Sequence, residues 1–282
     1  MKSFNIKAIN MLQKLALGLT VAACIGGFAS VARDAQSAQE TQESSARLAE
    51  GKIIPLSENN RKGIESYLGK GVVGKAVAAP VIDDVDNIYG LRAGTWTGKI
   101  TSGKKSGKTI TWSLGPSRGA GSSGSWRGVL GESQVIFLTK TDAGDIVAVS
   151  DIENEHGVFT RYTPPEPEVV KGMTPGDSRK LNIDVKVYDA KNPKHLEHSG
   201  NLDLTYTYVG AYEITVPAGT FDALLFKWHY KGKVGPAKID DAIYRFYAPG
   251  IGPVARVESK HISAMLIYHD NEKWGAVLTD HK

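Results

Sequence analysis

Gly115-Pro116-Ser117-Arg118-Gly119 has the G-x-S-x-G spacing that can present a serine hydroxyl as a hydrolase nucleophile. Directly after it, Gly119-Ala120-Gly121-Ser122-Ser123-Gly124 has the G-x-G-x-x-G spacing of a pyrophosphate-binding turn. Two lysine-rich stretches suggest a phosphate loop. Gly98 to Lys104 has the Walker spacing, but Lys105 stands where Ser or Thr must reach magnesium; Gly103 to Thr109 ends correctly and is one residue short. His195 and His198, three apart beside Glu197, are the nearest approach to a metal-ligand pair.

Each of these chemistries needs a particular element beneath it, and the sequence does not supply it. The nucleophile elbow needs a helix directly after Ser117, and the dinucleotide turn needs one after Gly124. The next residues, Ser125-Trp126-Arg127-Gly128-Val129-Leu130, form a strand-like run instead. The lysines of 98–109 fall in a hairpin, where they solvate the tip. His195 and His198 sit in a polar stretch, KNPKHLEHSG, read as a solvated loop. Asp240 and Asp241 are strand neighbours and must point to opposite faces, so they form no dyad. His229 alternates with Trp228 and should lie outward, near Asp241 or Arg245. The sequence therefore assigns no catalytic residue, no metal site and no cofactor. A hydrolase using Ser117 is the alternative, and a purely structural envelope protein is the third reading.

The pattern that dominates the chain is alternation. Leu202, Leu204, Tyr206 and Tyr208 interleave with Asp203, Thr205 and Thr207; Tyr212, Ile214 and Val216 repeat it; Leu224, Phe226, Trp228 and Tyr230 return on one face. Strands are expected at 95–102, 108–114, 124–130, 133–140, 145–152, 157–163, 178–188, 200–216, 221–232, 239–247, 251–259, 261–269 and 273–279. No stretch after residue 90 has helical period. Thr163-Pro164-Pro165-Glu166-Pro167 reads as extended polyproline between sub-halves 88–163 and 168–282. The fold class is mainly β: an antiparallel meander curled into an open or incomplete barrel, or two packed sheets. Trp96, Trp112, Trp126, Trp228, Tyr206, Tyr208, Tyr244 and Phe246 either fill such a core or line a cavity for an apolar ligand. Leu224, Phe226, Trp228, Tyr244 and Phe246 are the candidate ligand-binding residues, for a lipid or other apolar small molecule.

Val216-Pro217-Ala218-Gly219-Thr220-Phe221-Asp222, with Tyr244-Arg245-Phe246-Tyr247-Ala248-Pro249-Gly250-Ile251-Gly252 after it, resembles a family of exported Gram-negative proteins of unknown function. Met173-Thr174-Pro175-Gly176-Asp177 is similar to the turn that precedes this block in that family. The resemblance covers about the second half of the chain. More distantly such proteins resemble the open barrels of lipoprotein-localisation carriers, which implies an envelope location.

The N-terminus agrees. Lys2, Lys7 and Lys14 lead into an apolar run from Leu15 to Ala32 ending in small residues, a signal peptide over 1–32. Val21-Ala22-Ala23-Cys24 resembles a lipobox, which makes Cys24 the candidate for lipidation and membrane-attached lipoprotein the alternative to soluble periplasmic protein. Membrane contact is expected only through such an anchor or a retained signal. Residues 33–56 read as a flexible linker. Residues 57–87 read as a short helix, capped by Ser57 and ended by Gly69, plus an extended lead-in; 88–282 form the β domain. Losing Lys2, Lys7 and Lys14 takes the formal charge from +4 to +1, so no bulk electrostatic case for nucleic acid survives. Cys24 is the only cysteine, so the domain is expected to stand on its core without a disulfide. An envelope protein partner is the remaining expectation.

Overall fold

A computed structural model describes residues 51–117, 125–264 and 268–282. Ser57 caps helix α1 (Glu58–Leu68) by accepting a hydrogen bond from the Asn60 amide, and Gly69 ends it. The lead-in contains strand β1 (Val73–Val77) and a short helix α2 (Val85–Tyr89) capped by Asp84. Next come β2 (Gly94–Ser102), β3 (Thr109–Pro116), β4 (Trp126–Leu130), β5 (Gln134–Lys140), β6 (Ile146–Glu153) and β7 (Val158–Val169). The chain continues with β8 (Ser178–Asp189), β9 (Asn192–Val216), β10 (Gly219–Val234), β11 (Ala237–Ala248), β12 (Gly252–Ala264) and β13 (Tyr268–His281).

From β2 onward each strand pairs antiparallel with the next, and β13 returns to pair with β2. The result is a closed 12-strand up-and-down barrel. The expected meander is there, and the last strand finds the first and closes it. Closure removes the two free edges that an open sheet would expose.

Strand β9 is 25 residues long because it serves two neighbours on one side. Its first part, from Asn192 to Thr207, pairs with β8, and its last part, from Ala211 to Ile214, pairs with β1. The pairing with β10 shifts register between Leu225 and Phe226, where Val209 is the extra residue on β9. Helix α1 packs against β2, β12 and β13. Arg61 anchors it by donating to the carbonyl oxygens of Val73 and Gly74.

The fold departs from expectation at three places. KNPKHLEHSG is the start of β9 rather than a loop; it pairs with β8, although its side chains stay exposed to intermediate. The expected strands 251–259 and 261–269 are one strand, β12, that runs to Ala264 before the hairpin into β13. The Pro-rich stretch is not free polyproline: it lies within β7, and pairing to β6 shifts around it. Prolines donate no ladder hydrogen bond, so a strand can carry them only where pairing is interrupted.

Candidate functional site

One wall of the barrel interior is a stack of rings. Tyr206 on β9 lies opposite Trp228 on β10, with centroids 5.1 Å apart, and stacks on Phe226 at 5.9 Å. Tyr208 stacks on Phe226 at 5.1 Å. These side chains are fully buried, so their polar tips need partners. Two of them find partners on β7. Trp228 Nε1 donates to the Pro167 carbonyl at 2.7 Å, and the Tyr206 hydroxyl donates to the Glu168 carbonyl at 3.1 Å. Strand β7 is not a neighbour of β10 in the sheet, so the Trp228 bond crosses the interior.

Beside the rings lies a polar network. Arg245 on β11 pairs with the fully buried carboxylate of Glu168 and lies 4.6 Å over the Trp228 ring. Arg256 on β12 pairs with Glu258 at 2.7 Å. Lys260 lies 3.1 Å from Asp270 and 3.4 Å from Glu272. The Tyr230 hydroxyl donates to Glu166, and Gln134 Nε2 donates to Asp151 at 2.9 Å. Further buried carboxyls, Glu153 and Asp241, leave the three cations outnumbered. Four of these carboxyls are held above the usual carboxylate range. Burial, reinforced by the charge of Asp151, pushes Glu153 up to about 8. Burial and the charge of Glu168 push Glu166 up to about 7. Burial raises Asp151 to about 6, against the hydrogen bond from Gln134. Burial and then Glu258 raise Asp241 well above the usual carboxylate range.

Between this network and strands β2 to β5 the packing opens into a cavity of about 120 Å3. Its wall is aromatic: Trp96 on β2, Trp112 on β3, Trp274 on β13, Tyr89 of α2 and Tyr247 on β11. Arg245, Arg256 and Gln134 supply its polar part. Most of the aromatic groups are positioned by something local. Trp96 and Trp112 are directly opposed in the ladder, and Trp96 Nε1 donates to the Ile251 carbonyl at 2.7 Å. Tyr89 stacks on Tyr247 at 5.5 Å. Gly128 on β4 leaves the space that Trp112 fills, since a Cβ there would lie 2.1 Å from the indole. Gly252 at the start of β12 has φ of +99°, and a Cβ there would lie 3.0 Å from the Tyr89 carbonyl, so the Pro249-Gly250-Ile251-Gly252 bend packs closely against α2.

Trp274 Nε1 and Arg245 Nε are buried out of reach of a water-sized group and find no hydrogen-bond partner among the described residues. A much smaller pocket of about 20 Å3 lies between Tyr162, Glu166, Tyr230 and Asp241. It has room for about one water molecule.

The five candidate ligand residues are not the ones around the cavity. Leu224, Phe226 and Trp228 are fully buried in the ring-stacked wall. Phe246 is equally buried, but it is opposite Leu225 and so faces away from Arg245 and Phe226. Tyr244 shares that other face, half-buried, opposite Lys227, whose ammonium lies 5.2 Å over its ring. Alternation identified the faces correctly for β10, but on β11 the inward set is Asp241, Ile243, Arg245 and Tyr247. His229 meets Asp240, at 3.0 Å, and not Asp241 or Arg245, which point inward. Of the cavity's three tryptophans, Trp96 and Trp112 stood among the aromatic residues the sequence offered for a cavity, and Trp274, which only closure brings to them, was missed.

The other candidates have their places. Ser117 comes just after the end of β3, its amide bonded to the Ser125 carbonyl, and strand β4 comes next. Residues 118–124, with the whole G-x-G-x-x-G stretch, lie outside the described residues, as do Cys24, the signal segment and most of the linker. Gly98 to Lys108 form the end of β2 and the turn into β3. Among the described residues no group of three or more His, Cys, Asp or Glu is placed to hold a metal ion, and no helix is long and apolar enough to cross a membrane.

No family model matches this sequence, and no curated protein matches it significantly. Among solved structures, it is similar to a Bacteroides fragilis protein described as exported with a YmcC-like fold, at 14% identity and a TM-score of 0.38, over 73% of this chain and 100% of that one. A Parabacteroides distasonis protein described as a lipoprotein matches at 18% identity and a TM-score of 0.32, over 68% and 95%. The Escherichia coli hypothetical lipoprotein YmcC matches at 9% identity and a TM-score of 0.35, over 67% and 87%. At these scores the likeness transfers no property to this chain.

Proposed function

We propose that this is an exported, non-catalytic envelope protein that holds a small amphipathic molecule inside its barrel. The observation that carries the reading is the cavity walled by Trp96, Trp112 and Trp274 beside buried arginines. Pockets for small ligands combine an aromatic or apolar wall with a few convergent polar groups. At about 120 Å3 the space compares with the roughly 150 Å3 engineered cavity that takes benzene, so the group it encloses is a ring or a short alkyl chain. The driving force is removal of apolar ligand surface from water, at ~25 cal/mol per Å2. The N-terminal segment supports periplasmic residence, with lipidation at Cys24 as the alternative.

Tryptophan fluorescence tests the reading. Three of the five tryptophans line the cavity. Titration with 6-bromohexanol, an amphipath carrying a heavy-atom quencher, is expected to give saturable quenching. Quenching that rises without saturation, as for free tryptophan, would contradict a cavity site.

A further inference from the structure

The mouth of the cavity narrows the ligand's chemistry, given that the cavity is the binding site. Tyr89, Tyr247 and Val254, at the α2 end of the space, are at most 4% exposed. At the other end Ile110 and Leu130 keep 9% and 8%, and Trp112 and Arg256 are half-buried. Ile110 stands near the start of β3 and Leu130 ends β4, so the space meets solvent beside the β2–β3 and β4–β5 turns.

Lysines stand at that mouth. Lys108 carries on the β3 ladder: its carbonyl accepts from the Ile100 amide at 2.9 Å, in step with the Lys99–Thr109 and Gly98–Ile110 pairs. Alternation puts it on the face of Ile110 and Trp112, the cavity face, about 7 Å beyond Ile110. Lys108 and Lys104 are exposed, and Lys105 is half-buried in the same turn. The turn also packs on β13, where a Cβ on Gly103 would lie 2.6 Å from the carbonyl of exposed Lys273. None of these four lysines has an ion pair among the described residues. The β4–β5 turn beside them brings one exposed carboxylate, Glu132.

We infer that the amphipath is an anion, with its apolar tail among the tryptophans and its acid head at the mouth, against Lys108 and the neighbouring lysines. The head does not follow the tail inside. Arg245 and Arg256 are paired with Glu168 and Glu258, and each of those carboxylates keeps an oxygen without a partner. An anion drawn in among them would lose its water only to meet like charge. Those oxygens are fully enclosed, so a cationic head gains nothing from them, and it meets the lysines on its way in. At the mouth an acid head keeps its hydration, and the ammonium groups attract it through screened charge.

Three probes with one tail separate the cases by fluorine NMR titration of the full protein at neutral pH. They are 5-(4-fluorophenyl)pentanoate, 5-(4-fluorophenyl)pentan-1-ol and 5-(4-fluorophenyl)pentan-1-amine. The pentanoate is expected to bind about fivefold tighter than the alcohol, the upper end for one exposed ion pair, and to exceed the amine by more. Lys108→Gln is expected to remove most of that advantage, and raising sodium chloride from about 0.05 M to about 0.5 M to shrink it. Lys186→Gln removes an exposed lysine of β8, directly across the barrel from β2, and is expected to leave the advantage intact. Alcohol or amine binding as tightly as the pentanoate overturns the inference. So does an advantage that survives Lys108→Gln or falls as far in Lys186→Gln, and so does pentanoate that 6-bromohexanol does not displace. Failure of all three probes to bind overturns the cavity site itself.

Discussion

The buried Arg245–Glu168 pair concentrates the cost of this interior in two side chains. Arg245 lies over Trp228 while its guanidinium donates to Glu168, whose carboxylate also accepts from Tyr247 at 3.4 Å. Removing one partner leaves a buried charge without its counter-ion. Glu168→Gln should therefore lower the unfolding free energy by about 3–5 kcal/mol, read from urea denaturation. Replacing both, as Arg245→Met with Glu168→Leu, should recover much of that loss, because the desolvation of two charges disappears with them. A double variant no more stable than Glu168→Gln would mean that charge burial is not what the pair costs.

At the scale of the strands, a residue with no side chain sets the shape of the cavity. Gly128 lies under the Trp112 indole, and a methyl group there would also press on Ile136 at 2.8 Å. Gly128→Ala should push Trp112 toward the cavity, cost about 1–3 kcal/mol of stability, and weaken 6-bromohexanol binding in the quenching titration. Unchanged binding with unchanged stability would mean the indole is not held as described. The strands themselves were largely legible, because alternation is a local signal that each strand carries alone. The Tyr206–Phe226–Trp228 wall could be read from β9 and β10, which are neighbours in sequence. The cavity was legible only in part: Trp96 and Trp112 stood among the aromatic residues that could line one, but Trp274 reaches the same space only because β13 pairs with β2. The roles of Glu166 and Glu168 could not be read: they lie in and beside the stretch read as extended polyproline, and only the curl of the sheet turns them inward. The register of β11 was misjudged by one residue, which sends Phe246 and Tyr244 to the opposite face.

For the whole barrel, the surplus of interior carboxyls should set the pH dependence of stability. Glu153, Glu166 and Asp151 are raised to about 8, about 7 and about 6, against ordinary values of 4.5, 4.5 and 3.8. In that window the folded barrel keeps protons that the unfolded chain has released. Stability from these groups is full below about pH 4 and is lost as the pH rises through their folded values. Asp177 and Asp240 are shifted the other way, so their contribution is lost only in acid, below the ordinary carboxylate value. The unfolding free energy should therefore fall between about pH 5.5 and about pH 8.5. Glu153→Gln should flatten that slope and be more stable than the parent at the alkaline end. A flat profile in the parent would contradict the assignment of protons to these carboxyls.

Everything else depends on the Trp-walled space being a ligand site. The direct measurement is a crystal structure of the protein soaked with methyl 4-bromobenzoate, with bromine located by its anomalous scattering. A bromine peak is predicted between Trp96, Trp112 and Trp274. Bromine found only on the outer surface, with the cavity filled by rearranged side chains, would contradict it.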